Sequence, residues 1–193
     1  MIKYRLRQIL KWPILKWLGK PESSFYVWLN VDRQKRRGLK IGTNCIIGIG
    51  VVFDEGHAFR ITIGNNVTIA SYTILLCHDG STTRPVGYEK IGKITIGDNV
   101  FIGIRSIIMP GVTIGENSII GAGSVVTKSI PANVVAAGNP AEVTCDLSTY
   151  IETHKARMKV LPCFDREYSV PRVDKAKRDE MNEKMTTGEG YRR

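Results

Sequence analysis

An aliphatic residue recurs every six positions through the middle of the sequence, and this period constrains the fold more than any other feature. The longest unbroken run has six members: Ile96, Ile102, Ile108, Ile114, Ile120 and Val126. A helix repeats about every 3.6 residues and a half-buried strand about every two, so neither element alone produces this period. A fixed period sustained over many residues is typical of a solenoid, in which each repeat stacks on the next.

The residues within one repeat give the period a physical cause. In residues 114–119 one isoleucine points inward, and the glycine after it relieves crowding at a corner. Glu116 and Asn117 follow, and residues of this kind favour turns and tolerate left-handed backbone. Three flat hexads close one triangular coil, and coils stack by parallel strand pairing because no coil buries its apolar face alone. The sequence therefore predicts an all-β fold, a parallel β-helix, over residues 41–145.

The repeat is interrupted at two places. Between Phe53 and Ile63 the step is ten residues, so four extra residues bulge out near 54–57. Between Leu75 and Ile96 the step is 21 residues. The segment 77–93 lacks the six-residue aliphatic period and carries Gly, Pro, Arg and His. We expect residues 77–93 to form a loop outside the coil. Loops that project from a rigid scaffold are common places for binding and catalytic residues.

Positive charge is concentrated at the beginning of the chain. Residues 1–40 hold 11 Lys and Arg against 2 acidic residues, whereas residues 41–149 hold 6 against 8 and residues 150–193 hold 11 against 8. A nearly neutral centre argues against a nucleic-acid-binding face on the central domain. The expected organisation is a basic helical arm over 1–40, the solenoid over 41–145 and a C-terminal helical arm over 146–193.

The N-terminal segment has two interpretations. Apolar residues of 2–18, including Trp17, form one helical stripe with basic residues beside it. Such a helix suits the surface of an anionic membrane, which residues 1–20 would then contact, but it also suits packing on the protein's own assembly. No segment predicts a membrane span or a signal peptide. We therefore expect a cytoplasmic protein, with peripheral attachment to the inner membrane face as one alternative.

Residues 94–143, ITIGDNVFIGIRSIIMPGVTIGENSIIGAGSVVTKSIPANVVAAGNPAEV, closely resemble the last coils of a known family. They are similar to the hexapeptide-repeat O-acetyltransferases that act on maltose, galactosides and nodulation factors, and to sugar acetyltransferases of polysaccharide gene clusters. The resemblance implies a left-handed β-helix, a homotrimer, and acetyl-CoA as co-substrate in a groove between subunits. Residues 1–40 do not resemble the N-terminal domain of the maltose and galactoside enzymes, which favours the polysaccharide branch (capsule, O-antigen or exopolysaccharide).

The expected reaction moves an acetyl group from acetyl-CoA to a sugar hydroxyl, and this reaction needs a base. Neutral imidazole suits that role, because its ordinary pKa of about 6.5 leaves it mostly unprotonated at neutral pH. The chain has three histidines, His57, His78 and His154. His78 opens the loop 77–93 and matches the family's catalytic histidine in placement. A side chain of the first bulge, Asp54 or Glu55, or a backbone carbonyl is expected to orient it.

The resemblance also places the other site residues. A backbone N–H of Gly103 or Ile104 is the expected donor to the oxyanion. Ala122, Thr127 and Lys128 match positions that contact coenzyme A, and Arg105 is a candidate for its nucleotide phosphates because Glu142 stands near the place where relatives carry arginine. Acceptor contacts are expected from four residues in or beside the loop: Tyr72, Asp79, Arg84 and Tyr88. Aromatic rings stack on sugars, and arginine pairs with acidic sugars.

Two other functions compete with acetyl transfer. A scaffold or sugar-binding protein without activity would have the same repeat. Zinc-dependent carbonic anhydrases also share it, but such a site needs three converging imidazoles. Only His57 and His78 lie near the coil in sequence, so no metal is expected. Cys45, Cys77, Cys145 and Cys163 form no CxxC pair, so neither a structural zinc site nor a disulfide framework is expected.

Overall fold

The structure, a computed structural model, describes residues 22–169 and 172–193. The chain divides into two compact units, Met1–Leu147 and Ser148–Arg193. The first unit contains the predicted solenoid. Residues 1–20, for which membrane contact and packing on the protein's own assembly are the two interpretations, lie outside the described residues. Among the described residues, no helix combines the length and the apolar character that a membrane span requires.

Over its described residues, the first unit begins with a helix and continues as short strands that wind as a coil. Its elements in chain order are α1 (Glu22–Arg36), β1 (Lys40–Ile41), β2 (Ile46–Ile47), β3 (Val52–Phe53), β4 (Ile61–Ile63), β5 (Thr68–Ile69), β6 (Ile74–Leu75), β7 (His78–Asp79), α2 (Thr83–Val86), β8 (Lys90–Ile91), β9 (Ile94–Ile96), β10 (Phe101–Ile102), β11 (Ile107–Ile108), β12 (Thr113–Ile114), β13 (Ile119–Ile120), β14 (Val125–Val126), β15 (Val134–Gly138) and β16 (Ala141–Asp146). Short 3₁₀ helices occupy Ala58–Arg60 and Gly80–Thr82.

Three sheets form the sides of the coil. The first sheet has the order β1-β4-β9-β12, the second β16-β15-β13-β10-β5-β2, and the third β14-β11-β6-β3. Neighbouring strands are parallel except for β15 and β16, whose antiparallel pairing ends the coil. Successive strands along the chain therefore enter successive sheets, which confirms the predicted parallel β-helix.

The six-residue period is the interval between inward-facing side chains of successive sheets. In register across the third sheet, Phe53, Leu75, Ile108 and Val126 stack on one another and are fully buried. Equivalent columns run through the first sheet at Ile63, Ile96 and Ile114 and through the second at Ile69, Ile102 and Ile120. Burial of each such side chain stabilises the fold by roughly 1.5–3 kcal/mol.

Asparagines form one corner of the coil. Asn66, Asn99, Asn117 and Asn133 all have left-handed backbone, with φ between 56° and 60°. Their side-chain amides donate along the column, over 3.1, 2.9 and 3.0 Å. Asparagine is the residue other than glycine that adopts this backbone most readily, and the ladder satisfies its polar atoms. The Asn at this corner of successive coils therefore has a structural cause.

A second corner breaks that rule. Its left-handed positions are Gly50, Tyr72, Arg105 and Gly123, with φ of 61° at Tyr72 and 59° at Arg105. Bulky residues seldom adopt such backbone, and they often mark a functional constraint where they do. This corner leads from the second sheet into the third.

The two interruptions of the repeat lie next to each other at the corner after the third sheet. Residues 54–60 connect β3 to β4 and end in the 3₁₀ helix Ala58–Arg60. Residues 77–93 leave the coil after β6, and β7 pairs with β8 in antiparallel fashion, so the predicted loop has a short hairpin of its own. Because β3 pairs with β6, the two excursions begin side by side.

Helix α1 packs against the first coil. Asn30 Nδ2 donates to the Val51 carbonyl over 2.9 Å, and Arg33 forms an ion pair with Glu55 at 2.5 Å. Arg37 forms a second ion pair with Glu55 at 3.4 Å. The predicted basic arm therefore contains a helix that contacts the beginning of residues 54–60.

The C-terminal unit is small and has a separate sheet. It contains most of α3 (Leu147–Met158), then β17 (Cys163–Phe164), α4 (Lys175–Lys184) and β18 (Tyr191–Arg192), and its two strands pair in parallel. His154 Nδ1 lies 2.7 Å from the Tyr191 hydroxyl within this unit.

Candidate active site

His78 stands where the chain leaves the coil. Leu75 is the last inward-facing residue of β6, and Cys77 is still fully buried, so the coil fixes the backbone just before His78. His78 opens β7 and pairs in register with Ile91 of β8. Its side chain is 41% exposed. The coil therefore holds the backbone of His78 in place, and one side of the His78 side chain is open to solvent.

Asp54 lies beside His78 and accepts hydrogen bonds through both carboxylate oxygens. Oδ2 lies 2.5 Å from His78 Nδ1 and accepts from the Cys77 amide over 2.9 Å. Oδ1 lies 3.1 Å from His57 Nδ1. The side chain of Asp54 is only 3% exposed. Of the two bulge residues that the sequence offers, Asp54 contacts His78, whereas Glu55 pairs with Arg33 and Arg37.

This contact decides which nitrogen of His78 is available as a base. A carboxylate only accepts, so Nδ1 carries the proton of the neutral imidazole and donates it to Asp54. The lone pair then resides on Nε2, and Nε2 takes no part in a hydrogen bond with any described residue. The arrangement can therefore present an oriented basic nitrogen at the edge of the coil.

The charges of the pair reinforce this arrangement. The hydrogen bond with Asp54 raises the pKa of His78 above its ordinary value, against an opposing effect of burial. Burial alone would raise the pKa of Asp54, but hydrogen bonds from His78, the Cys77 amide and His57 together bring that pKa below its ordinary value. Asp54 is therefore a carboxylate at neutral pH, and it stabilises the imidazolium that His78 becomes on accepting a proton.

Cys77 adjoins this pair but lacks the properties of a nucleophile. Burial and the nearby Asp54 carboxylate raise the pKa of its thiol to about 11. The thiolate is the reactive form of cysteine, and it is scarcely populated at neutral pH with such a pKa. Cys77 thus anchors the loop rather than attacking a substrate.

His57 belongs to the same cluster, although the sequence assigns it no role in acetyl transfer. Its ring centroid lies 4.9 Å from that of His78, and both rings contact one carboxylate. One ligand atom from each of Asp54, His57 and His78 can be chosen so that the three lie within 4.8 Å of one another. The signal in the sequence was the interruption at 54–57, which carries Asp54 and His57 out of the repeat together.

The residues matched to coenzyme A lie along two edges of the third sheet. Thr127 and Lys128 follow β14, on the edge from which His78 also emerges, and both are exposed. Ile104, Arg105 and Ala122 lie on the opposite edge, at the corner that precedes the sheet, and are exposed as well. One chain therefore does not bring the two sets together.

Gly103 has a structural task within the coil. Its amide donates to the Ile120 carbonyl over 2.8 Å, so it is not available to an oxyanion. A Cβ at this position would lie 2.4 Å from the Ala122 nitrogen of the next coil, which explains the glycine. The Ile104 amide has no acceptor among the described residues and remains the candidate donor of the two.

The candidate acceptor residues also lie in two separate places, the loop 77–93 and the opposite edge of the third sheet. Arg84 lies on α2 and Tyr88 follows it, both exposed on the loop. The Asp79 carboxylate accepts from the Ser81 amide over 2.9 Å and thereby caps the 3₁₀ helix of the loop. That hydrogen bond lowers the pKa of Asp79. Tyr72 stands at the opposite edge of the third sheet, beside Gly50.

Comparison with known proteins identifies the fold and its family. Residues 93–128 match the family model described as bacterial transferase hexapeptide (six repeats). Protein CapG of Staphylococcus aureus is 42% identical over 127 residues, which cover 63% of this chain and 74% of CapG. The chain belongs to the hexapeptide-repeat acetyltransferase family. Galactoside O-acetyltransferase of Escherichia coli K12 is 50% identical over 97 residues, covering 47% of this chain and 46% of that protein.

A solved relative shares the hexapeptide-repeat fold. A hexapeptide-repeat-containing acetyltransferase of Vibrio cholerae is 34% identical and superimposes with a TM-score of 0.52, over 57% of this chain and 64% of that chain. The same Vibrio cholerae protein has been solved complexed with acetyl coenzyme A. The β-helix of this family is left-handed, as the resemblance implied. The chain thus spans three quarters of CapG and smaller shares of the other two relatives.

Proposed function

We propose that this protein is an acetyl-CoA-dependent O-acetyltransferase that acts on a sugar hydroxyl, with His78 as its general base. The observation that carries the proposal is the contact of His78 Nδ1 with the buried Asp54 carboxylate at 2.5 Å, which leaves Nε2 free. Family membership supports acetyl transfer, and the acetyl coenzyme A complex of the Vibrio cholerae relative supports the donor. The name of the Escherichia coli relative supports a sugar as acceptor.

The geometry suits a direct transfer. His78 Nε2 takes the proton of the acceptor hydroxyl while that oxygen attacks the thioester carbonyl of acetyl-CoA. The tetrahedral intermediate collapses with cleavage of the carbon–sulfur bond, and the imidazolium returns the proton to the departing thiolate of coenzyme A. The products are the acetyl ester and free coenzyme A. The amide of Ile104 in a neighbouring subunit is the proposed donor to the intermediate's oxyanion.

We propose a homotrimer because the candidate residues lie on opposite edges of one sheet. In a cyclic oligomer, one surface of each subunit contacts a different surface of the next. His78, Thr127 and Lys128 of one subunit would then face Tyr72, Ile104 and Arg105 of its neighbour. Apolar side chains exposed on the second and third sheets, such as Phe101 and Val52, supply a surface for this contact. Analytical ultracentrifugation measures the mass that decides this point.

The acceptor is best sought among precursors of surface polysaccharides. Arg84 and Tyr88 are exposed on the loop beside His78, and they offer a cation and an aromatic face to a sugar. We expect transfer of labelled acetyl from acetyl-CoA to at least one member of a panel of nucleotide sugars, lipid-linked sugars and oligosaccharides. Calorimetry with coenzyme A alone should show saturable binding at one site per chain. A scaffold or sugar-binding protein would show neither transfer nor coenzyme A binding.

We also propose a cytoplasmic protein attached peripherally to the inner membrane through residues 1–20. The support is in the sequence, where the first forty residues carry 11 basic and 2 acidic side chains beside an apolar stripe. Each basic residue close to an anionic surface gains roughly 1 kcal/mol, and salt screens this attraction. The full chain should sediment with anionic liposomes at low salt and be largely released at high salt. A chain starting near Lys40 should remain in the supernatant, and a full chain that ignores anionic liposomes would contradict the proposal.

A further inference from the structure

The cluster of Asp54, His57 and His78 has more metal-binding groups than a general base requires. One carboxylate is shared between two imidazoles, at 3.1 Å from His57 Nδ1 and 2.5 Å from His78 Nδ1. Orienting a single base needs only one of these contacts. The position of His57 is therefore not explained by acetyl transfer alone.

The three groups match the donor set of an open transition-metal site. Two imidazoles and one carboxylate bind Zn²⁺ with metal–ligand distances of about 2.0–2.2 Å, and a fourth position stays open to water. Tetrahedral geometry at those distances puts ligand atoms roughly 3.4 Å apart. The three candidate ligand atoms already lie within 4.8 Å of one another, and the coil and the 3₁₀ helix Ala58–Arg60 fix their backbones. Small side-chain movements are enough to bring them onto one ion.

We propose that Asp54, His57 and His78 form a Zn²⁺-binding site whose occupation switches off the base function of His78. A neutral imidazole has one protonated nitrogen and one lone pair. When Nδ1 donates to Asp54, the lone pair is on Nε2, and His78 is a base. When the Nδ1 lone pair binds a metal ion, the proton is on Nε2, and that nitrogen can only donate. A proton and a metal ion at Nδ1 thus define two exclusive states of the same residue.

Metal binding is tested on the full-length, chelator-washed protein by calorimetric titration with Zn²⁺, with Mg²⁺ as the comparison ion. We expect each chain to bind one Zn²⁺ and no Mg²⁺, because imidazole ligands suit zinc and Mg²⁺ prefers oxygen ligands. His57→Gln should weaken Zn²⁺ binding by about tenfold or more, since even the loss of a supporting contact costs that much. His154→Gln is the matched control, because His154 lies in the C-terminal unit against Tyr191, and it should titrate like the wild type.

Unchanged Zn²⁺ affinity in His57→Gln, or an equal loss in His154→Gln, would overturn the site. Absorption of the Co²⁺-substituted wild type gives a second reading that needs no variant. Imidazole and carboxylate ligands in a tetrahedral site produce visible d–d bands, and a protein whose Co²⁺ spectrum matches that of the aqueous ion has no such site.

The inhibitory effect rests on the proposed function, whereas the binding itself does not. Saturating Zn²⁺ should abolish acetyl transfer by the wild type, and chelator should restore it. In His57→Gln, the Zn²⁺ concentration needed for half-inhibition should rise by the same factor as the dissociation constant. Zinc that binds with one-site stoichiometry yet leaves transfer unchanged, or increases it, would refute the switch. Absence of transfer in chelator, with zinc binding intact, would instead refute the proposed transferase function.

Discussion

Replacement of His78 by alanine should lower kcat/KM for acetyl transfer by about 10²–10⁴-fold, the usual contribution of a general base. Without the imidazole, no side chain of the cluster offers a free lone pair at the position of Nε2, because the Asp54 oxygens face inward to the Cys77 amide and His57. The acceptor hydroxyl must then attack while still protonated. Initial rates with labelled acetyl-CoA, measured in the presence of chelator, give the ratio.

His154→Ala is the matched control for this experiment. His154 is also half-buried and also hydrogen-bonded through Nδ1, in its case with the Tyr191 hydroxyl in the C-terminal unit. Its removal should leave kcat/KM near the wild-type value. Both variants should keep the wild-type melting temperature within a few degrees, because neither side chain belongs to the apolar columns of the coil. A near-normal rate in His78→Ala would disprove the assignment of the base.

The fold could be predicted because one period encodes both burial and register. Ile102 and Ile120 are three hexads apart, and the structure pairs them on neighbouring strands of the second sheet. A residue in an unbroken run of hexads can therefore be placed on a sheet from its position within the three hexads of one coil. The hairpin inside residues 77–93 could not be placed in this way, because its strands do not follow the six-residue period.

Part of the site follows from the same register. Phe53 and Leu75 occupy equivalent phases, so the residues after them, Asp54 and Leu76, begin side by side, and His78 is only two residues further. That reasoning selects the bulge as the source of the orienting group. It does not decide between Asp54 and Glu55, because the choice depends on the direction of the chain after β3. The structure turns Asp54 inward and Glu55 towards Arg33 of α1.

Two other features of the site could not be predicted from the sequence, for physical reasons. Gly103 and Ile104 are neighbours, and the sequence does not show which of their amides is available to donate to an oxyanion. Only the hydrogen bond of the Gly103 amide to the Ile120 carbonyl distinguishes the two. His57 and His78 contact the same Asp54 carboxylate although they are 21 residues apart in the sequence. No repeat period predicts this contact, because the position of His57 depends on the 3₁₀ helix that follows Asp54. Both are consequences of local backbone direction rather than of pattern.

Asp54→Asn should reduce kcat/KM by about 10²-fold, the lower end of what general acid–base catalysis contributes, and move its pH dependence to lower pH. In the wild type, kcat/KM should rise with pH as His78 loses its proton, with a midpoint above the ordinary value of about 6.5, because the hydrogen bond with Asp54 raises the pKa of His78. Asparagine can keep its oxygen towards His78 and the Cys77 amide and turn its amide group towards His57. The geometry then survives, but the negative charge that stabilises the imidazolium is absent.

The direction of the pH shift separates a charge effect from a merely structural one. Loss of the Asp54 charge weakens the hydrogen bond that is the main cause of the raised pKa of His78, and it removes the coulombic attraction that adds to it. The midpoint of kcat/KM should therefore fall towards or below about 6.5 while the plateau also drops. If Asp54 only held the imidazole in place, without an electrostatic effect on it, the plateau would drop and the midpoint would stay unchanged. Glu55→Gln is the matched control, because Glu55 adjoins Asp54 but pairs with Arg33 and Arg37, and its profile should overlie that of the wild type. A midpoint that stays in place in Asp54→Asn would show that Asp54 does not tune the base.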